Sequence, residues 1–256
     1  MYLVKSCFKR DNIWTRRTLK VGTLTEYRDT EEQQIADKEE GIIDLSFDLN
    51  HFHMPSPLLN DLNSISHSLS RFELKEVILK PNPLFKNHIY VEKYHATTSL
   101  IKFNRYIFCI SELDKPDLCK SIFENYDDYW YLPSDRAKFF GDSLSHSIRD
   151  EISNKLQSGE EIFTKNDIAH PLEIRWYCNN IWYTPRKILI DNAKLYKECS
   201  DIVYWLREGH MVKPDSFQHE KEMRFIFDIY SNGELLQPLN KPLFVSAENI
   251  LPLIKK

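Results

Sequence analysis

Short segments in which apolar residues alternate with polar ones, or cluster with β-branched and aromatic residues, recur along the whole 256-residue chain. Alternation with a period of two is typical of a strand with one buried face, and only six glycines interrupt it. The sequence therefore predicts a fold in which β-sheet dominates. The predicted strands cover residues 2–7, 18–24, 72–79, 89–95, 106–111, 172–183, 186–190, 223–230 and 242–245.

One segment has the pattern of a long helix. It begins near Ser134 or Asp135, whose short polar side chains can accept a hydrogen bond from an unpaired backbone N–H, and it continues to Gly159. Apolar residues recur in it at a strict four-residue step, at Phe140, Leu144, Ile148, Ile152 and Leu156. They share one face, so the helix is expected to cover a sheet and the fold to be α+β.

Residues 50–70 are rich in Asn, Ser, Pro and His, which compete with regular backbone structure. This composition predicts a long loop that holds at most a short helix. No internal repeat, low-complexity linker or clear boundary divides the chain, so we expect a single domain spanning residues 1–256.

The net charge bears on the possible partners, and the cysteines indicate the compartment. The 38 acidic and 34 basic residues give a formal charge of −4, so the composition provides no strong attraction for a phosphate backbone. No Cys-x-x-Cys pair and no secretory leader occurs, which favours the reducing cytoplasm. The five cysteines are Cys7, Cys109, Cys119, Cys178 and Cys199. No apolar run approaches the ~20 residues of a membrane span, so no membrane partner is expected.

Several common sites lack their sequence patterns. A Walker loop, a Gly-x-Gly-x-x-Gly turn and a Gly-x-Ser-x-Gly elbow are absent, which argues against P-loop NTPases, Rossmann dehydrogenases and α/β-hydrolases. His51 and His53 follow Asp44 and Asp48, but no further ligand pair follows at the spacing of a zinc finger. No metal is therefore predicted.

Strand periodicity sorts residues 220–227 into two chemically different faces. The apolar face, expected to meet the core, consists of Met223, Phe225 and Phe227. Glu220, Glu222 and Arg224 project from the other face, about 7 Å apart at each step of two residues. Such a row can hold a sugar hydroxyl and a phosphate together. The alternative is a solvated strand face on which Arg224 pairs with its acidic neighbours.

A second segment places aromatic and charged residues at the end of a predicted strand. Residues 19–24 are followed by Tyr27 and Arg28, and an acidic run ends at Gly41. Tyr27 offers a flat ring for stacking, Arg28 a planar fork of donors for phosphate or carboxylate, and Gly41 a tolerant turn. By itself the pattern is also typical of an ordinary strand end with a solvated loop.

Four blocks carry a resemblance. They are Leu-Lys-Val-Gly-Thr-Leu-x-x-Tyr-Arg at 19–28, Asp-Lys-Glu-Glu-Gly at 37–41, Phe-Cys-Ile-Ser at 108–111 with Tyr-Trp at 129–130, and His-Glu-Lys-Glu-Met-Arg at 219–224. In this order they resemble an uncharacterised family of bacterial cytoplasmic proteins often encoded beside phage-defence and toxin genes. That family is in turn similar to mono-ADP-ribosyltransferase toxins, in which a split β-sandwich opens into an NAD cleft and a Glu-x-Glu strand carries the catalytic acid.

The resemblance implies a mixed, mainly antiparallel split β-sandwich with a few covering helices, and NAD as substrate. It implies that Glu222 is the catalytic carboxylate and Glu220 its partner on the acceptor side. A carboxylate at the nicotinamide ribose can hold the 2′-hydroxyl and stabilise an oxocarbenium-like transition state. Help of this type is worth about 3 to 4 kcal/mol.

The resemblance also implies contacts to the cofactor. Tyr27 would stack on nicotinamide or adenine, and Arg28 or Arg224 would hold the pyrophosphate. The chain departs from the transferase pattern at two points: it lacks a clear Ser-Thr-Ser strand, and its first strand has Lys5 where Arg or His is usual. Lys5 can bind a phosphate, but it cannot make the planar bidentate contact of an arginine.

The resulting hypothesis is an NAD-dependent ADP-ribosyltransferase-like effector of a bacterial defence or toxin–antitoxin system, modifying nucleic acid or protein. Its expected partners are NAD, the acceptor, and an antitoxin or regulatory protein. One alternative is a non-catalytic recognition module that binds a phage or host component through Tyr27, Arg28 and residues 220–224. Another is an internal salt-bridge network that fixes the fold. Its members would be Arg28, Asp37, Glu40 and Arg224.

Two Trp-Tyr pairs, at 176–177 and 182–183, flank the Asn-Asn pair at 179–180. The arrangement predicts a β-hairpin with aromatic residues on both strands. We interpret these rings as packing residues, with a base-stacking platform for single-stranded nucleic acid as the alternative.

Overall fold

The computed structural model describes residues 1–29, 37–63, 71–165, 168 and 171–256, which form fourteen strands and six α-helices. The strands are β1 (Tyr2–Cys7), β2 (Thr18–Thr23), β3 (Ile42–Pro55), β4 (Arg71–Pro81), β5 (His88–Ile101), β6 (Tyr106–Leu113), β7 (Asp128–Pro133), β8 (Glu173–Asn180), β9 (Trp182–Tyr183), β10 (Lys187–Asp191), β11 (Val212–Lys213), β12 (Glu222–Ser231), β13 (Glu234–Leu236) and β14 (Leu243–Ser246). The helices are α1 (Ile13–Arg16), α2 (Glu26–Asp29), α3 (Ser56–Asn63), α4 (Ala137–Gln157), α5 (Asn192–Lys197) and α6 (Cys199–Glu208).

The protein is α+β, with a curled, mainly antiparallel main sheet, further sheets and a few helices, as the sequence predicted. The chain forms two compact units, each with more contacts within itself than with the other. The first contains Met1–Glu40, Asn104–Ile181 and Ser216–Lys256, and the second Gly41–Phe103 and Trp182–Asp215. Two compact units do not by themselves establish separate folding, so the single domain over residues 1–256 stays a prediction.

The first unit is built on an eight-stranded sheet in which β13, β12, β6, β1 and β7 are successive neighbours. β8 pairs with β12, and β2 pairs with both β6 and β14. Strand β1 follows β6 only as far as Val4, which lies opposite Ser111. Nearer the start of β6, Gly22 of β2 lies opposite Ile107. The sheet is therefore interrupted beside Cys109, between the two strands that pair with β6.

Helix α4 covers one face of this sheet. Its stripe Phe140, Leu144, Ile148 and Ile152 has no exposed surface, and Leu156 packs against the same core. A 3-10 turn at Ser134–Arg136 precedes the helix. The predicted helix and its buried face are thus confirmed, because the four-residue step keeps these side chains on one side. They pack against rings of the sheet, including Phe108, Trp130 and Phe225.

The second unit holds a four-stranded sheet in the order β10-β3-β5-β4. Strand β5 runs antiparallel to both β3 and β4, whereas β10 is parallel to β3. The helices α3, α5 and α6 contribute Leu58, Leu195 and Trp205 to the core on one face of this sheet. Strands β9 and β11 form a separate parallel pair.

The prediction of a loop over residues 50–70 is wrong for Asn50–Pro55, which completes β3, whereas Ser56–Asn63 forms α3, the short helix that the prediction allowed. Polar residues do not break this strand because pairing with β5 continues to Pro55, and Asn192 accepts a hydrogen bond from the backbone N–H of Asn50. Residues 64–70 lie outside the described part of the chain.

The predicted hairpin of Trp-Tyr pairs is also wrong. Strand β8, which includes both asparagines, pairs with β12, and β9 pairs with β11. The asparagines continue the strand because β12 offers them backbone partners, with Asn179 opposite Arg224. Trp176 packs against the α4 core. No helix among the described residues is long and apolar enough to span a bilayer.

Candidate functional site

The start of strand β12 places two predicted site residues on one face of the main sheet. Glu222 lies opposite Ser111 and Arg224 opposite Cys109 in the ladder with β6. Phe225, which has no exposed surface, faces the α4 core on the other side. The alternation predicted for residues 222–227 therefore holds and separates the charged face from the apolar one.

Glu220 does not continue this row. It ends a 3-10 turn, Asp215–Glu220, and Lys221 follows with a positive φ of 47°. The predicted row of three charges on one strand is wrong at this position, because the backbone turns before the strand begins. Glu220 is nonetheless buried, with 4% of its surface exposed.

The guanidinium of Arg224 is held between two carboxylates. Its Nε donates to Glu222 Oε1 at 2.8 Å, and its Nη1 donates to Glu40 Oε1 at 2.9 Å. The side chains of Arg224 and Glu40 are each 1% exposed. Burial by itself would lower the pKa of Arg224, but the neighbouring charges of Glu222 and Glu40 outweigh it, so the pKa is raised well above its usual value. The arginine is therefore always charged, and it fixes both carboxylates.

Backbone and side-chain contacts fix the segment that carries Glu40. Arg28 Nε donates to the carbonyl oxygen of Glu40, and the N–H of Glu40 donates to the carbonyl of Asp37. The N–H of Asp37 donates to the carbonyl of Tyr27 at 3.2 Å. Gly41 follows with a φ of 68°, the left-handed conformation that favours glycine. Helix α2 thus anchors the turn that brings Glu40 to Arg224.

Tyr27 belongs to the same cluster. Its ring packs so closely on β2 that a Cβ at Gly22 would lie 2.9 Å from Tyr27 Cε2. Burial raises the pKa of Tyr27 well above its usual value, and the charges of Cys109, Glu222 and Glu26 raise it further, against the opposing effect of Arg224. The absence of a side chain at Gly22 therefore leaves the space that the Tyr27 ring occupies beside these residues.

Lys5 lies on the other face of the sheet. Val4, Ser111 and Glu222 occupy one cross-strand row and share a face, so the next residue, Lys5, points the opposite way. Its Nζ donates to the carbonyl oxygen of Cys109 at 2.9 Å and lies 5.3 Å from the centre of the Phe108 ring. Lys5 thus satisfies a carbonyl of β6 at the interruption between β1 and β2.

The structure therefore brings together Tyr27, Arg28, Glu222 and Arg224, places Glu220 just before the strand, and leaves Lys5 on the opposite face. The Arg224–Glu40 pair belongs to the predicted internal network. Sequence reasoning assigned no role to Cys109 and Ser111. The alternation in Phe-Cys-Ile-Ser was the signal, since it puts these two residues on the face opposite the core.

The two histidines with acidic residues nearby in sequence, His51 and His53, contact other side chains. His51 Nδ1 lies 2.8 Å from the hydroxyl of Tyr90, and His53 Nδ1 lies 2.7 Å from Asn82 Nδ2. In the described part of the chain, no three His, Cys, Asp or Glu side chains are grouped to hold a metal ion.

Comparison with known proteins adds no relative: the chain matches no protein-family model, no curated protein and no solved structure. The function is therefore inferred from the cluster itself and from the four sequence blocks.

Proposed function

We propose that this protein is an NAD-dependent ADP-ribosyltransferase-like effector of a bacterial cytoplasmic defence or toxin–antitoxin system, with Glu222 as its catalytic carboxylate. The main support is the position of Glu222. It begins a central strand, its carboxylate is held by Arg224, and it lies on the face that carries Cys109 beside the interrupted part of the sheet. A carboxylate fixed in advance needs little reorganisation when positive charge develops on a sugar.

The reaction would be a substitution at the anomeric carbon of the nicotinamide ribose. The bond from that carbon to nicotinamide breaks, and nicotinamide leaves with the bonding electron pair. A nucleophile of the acceptor, on nucleic acid or protein, forms the new bond and loses a proton. Glu222 would bind the ribose 2′-hydroxyl and stabilise the oxocarbenium-like transition state, and Glu220 would act on the acceptor side.

The buried cluster also defines what NAD binding would require. Nε and Nη1 of Arg224 already donate to Glu222 and Glu40, and Nε of Arg28 donates to the backbone of Glu40. A pyrophosphate held by Arg224 would compete with Glu40 for the guanidinium and would replace its negative charge. Tyr27 would then offer its ring to nicotinamide or adenine. An antitoxin or regulatory protein would act by favouring or releasing the Arg224–Glu40 contact.

The test is transfer of label from NAD labelled on its adenylate, offered separately with bacterial RNA, DNA and protein extract. Wild type should label one acceptor class, and Glu222→Gln should reduce the rate at least a hundredfold at a temperature where circular dichroism shows the variant to be folded. Its melting temperature should fall, because the change removes one charge of the buried pair with Arg224. Glu173→Gln is a matched control, because Glu173 is an exposed carboxylate at the start of β8. Absence of label in every fraction, with no NAD binding by calorimetry, would refute the proposal.

A non-catalytic recognition module is the second candidate. The observation in its favour is that the charges of Arg224, Glu222 and Glu40 are buried and engaged with one another. This candidate predicts that the protein binds a phage or host component without consuming NAD. Capture of such a component by both wild type and Glu222→Gln, with no turnover by either, would favour it.

A further inference from the structure

Strand β4 forms one edge of the four-stranded sheet in the second unit. It pairs with β5 on one side, and no described strand pairs with its other side. Three apolar side chains on this edge are largely exposed: Phe72 by 41%, Leu74 by 57% and Leu79 by 38%. An edge with free backbone groups and exposed apolar side chains is a template for pairing with another strand.

The register of β4 against β5 puts four apolar residues of β4 on one face and Ile78, which lies opposite Lys93, on the other. Phe72 and Leu74 lie opposite Thr98 and Ala96, and Val77 and Leu79 lie opposite Tyr94 and Val91. All four partners are buried. The register shifts twice. Between Leu74 and Glu76, Lys75 is an additional residue of β4 that resets its alternation, and between Ile78 and Leu79 the additional residue is Glu92 of β5.

The bulge at Lys75 makes one face of the strand symmetrical. The apolar positions 72, 74, 77 and 79 are placed evenly about a centre between Lys75 and Glu76. An antiparallel copy of the strand, centred on the same point, would put Phe72 opposite Leu79 and Leu74 opposite Val77. The central pair would be Lys75 opposite Glu76, which have opposite charges.

We propose that β4 pairs with β4 of a second copy of this chain, antiparallel and about a two-fold axis between Lys75 and Glu76. The two sheets then continue into one eight-stranded sheet. A pairing of this kind is self-complementary, as a closed two-fold dimer requires. It removes the edge and covers the exposed leucines and Phe72 with the same residues of the partner.

Strand β4 also has features that discourage edge pairing, namely a bulge and lysines. The bulge at Lys75 is nevertheless compatible with the proposed register. Bulges and lysines commonly protect edges from indiscriminate pairing. In this register the bulged Lys75 meets a glutamate, so the charge favours this partner and disfavours a shift by one residue. Arg71 and Lys80 meet at the two ends, where Lys80 already pairs with Glu92 on β5. The bulge and the Lys75–Glu76 pair therefore favour one alignment of the two β4 strands.

The first experiment measures the mass of the full chain in solution by light scattering after size-exclusion chromatography. We expect twice the 30.5 kDa of one chain at micromolar concentration. Leu74→Lys should raise the dimer dissociation constant at least a hundredfold and leave the melting temperature of the monomer unchanged, since the side chain is exposed. The matched control is Leu189→Lys, because Leu189 is 61% exposed on β10 and should leave the dimer intact.

The second experiment tests the register. Opposed residues in an antiparallel pair are close enough for a disulfide. Leu74→Cys and Val77→Cys chains, one of them size-tagged, should form a mixed cross-linked dimer when they are combined under mild oxidation. Leu74→Cys combined with Leu189→Cys should not. A monomer at all concentrations, a dimer that survives Leu74→Lys, or absence of the 74–77 cross-link would each overturn the proposal.

Discussion

Arg224 Nη1 lies 2.9 Å from Glu40 Oε1, and these residues, 184 positions apart in the chain, are both almost completely buried. Withdrawing a guanidinium from water is costly unless opposite charges and hydrogen bonds compensate. Here Glu222 supplies the second carboxylate. The cluster therefore joins the turn before Gly41 to strand β12, whatever ligand the site takes.

Replacing Arg224 with glutamine should destabilise the first unit strongly. The change leaves the buried carboxylates of Glu222 and Glu40 without this positive charge, and loss of one partner of a buried pair costs about 3 to 5 kcal/mol. Urea unfolding followed by circular dichroism measures the loss. The control is Arg175→Gln, because Arg175 pairs with Glu173 on the surface and its loss should be within error of wild type. Equal effects of the two changes would contradict a structural role for the cluster.

The sequence correctly predicted the elements whose formation depends mainly on neighbouring residues in the chain. The first strand was predicted with its observed bounds, Tyr2–Cys7, because a cluster of aromatic, aliphatic and β-branched residues begins it and the polar residues 9–11 follow it. Helix α4 was predicted from a stripe that leaves only one way to bury five side chains. In contrast, the second half of β3 was predicted as a loop, since Asn50 and His53 favour loops and only pairing with β5 keeps them in a strand.

The candidate site shows the same division. Sequence alternation was sufficient to put Glu222 and Arg224 on one face. Whether that face is solvated depends on Glu40, which reaches Arg224 only in the folded chain. The face of Lys5 depends on the register of β1 against β6, a long-range pairing that no local pattern contains.

Tyr94 offers a test of alkaline stability in the second unit. Burial raises its pKa from 10.0 to about 12, because the phenolate is disfavoured in the core. A raised pKa in the folded state means that the stabilising contribution is complete below pH 10 and is lost as pH rises towards 12. The loss follows because the unfolded chain releases this proton first.

Tyr94→Phe should therefore lose less stability than wild type between about pH 10 and about pH 12. At neutral pH it should be more stable by about 1 kcal/mol, because the buried Tyr94 hydroxyl has no hydrogen-bond partner among the described residues. Urea unfolding at each pH measures both effects. Tyr196→Phe is the control, since Tyr196 is 82% exposed. Parallel pH profiles for wild type and Tyr94→Phe would show that this phenol does not control alkaline unfolding.

Gly141 marks a close approach between α4 and β8. A Cβ at this position would lie 2.4 Å from Trp176 Cη2, so Gly141→Ala must displace the indole, whose Nε1 donates to Asp142. Overpacking of this kind costs about 1 to 3 kcal/mol, more than the roughly 1 kcal/mol gained in helix propensity. Thermal unfolding should show a net loss. Asn154→Ala, at an exposed position of the same helix, should be neutral or slightly stabilising.

Lys5 could have a structural role or could bind the phosphates of NAD, and the variant Lys5→Met distinguishes the two. Its Nζ donates to the carbonyl of Cys109 from the face opposite Glu222, so Lys5→Met should leave that carbonyl unsatisfied and cost about 1 to 3 kcal/mol. NAD affinity, measured by calorimetry at a temperature where the variant is folded, should equal that of wild type. Lys241→Met, at an exposed position of the same unit, should change neither quantity. A weakened NAD affinity with unchanged stability would instead place Lys5 at the phosphates, as the transferase pattern implies for its first strand.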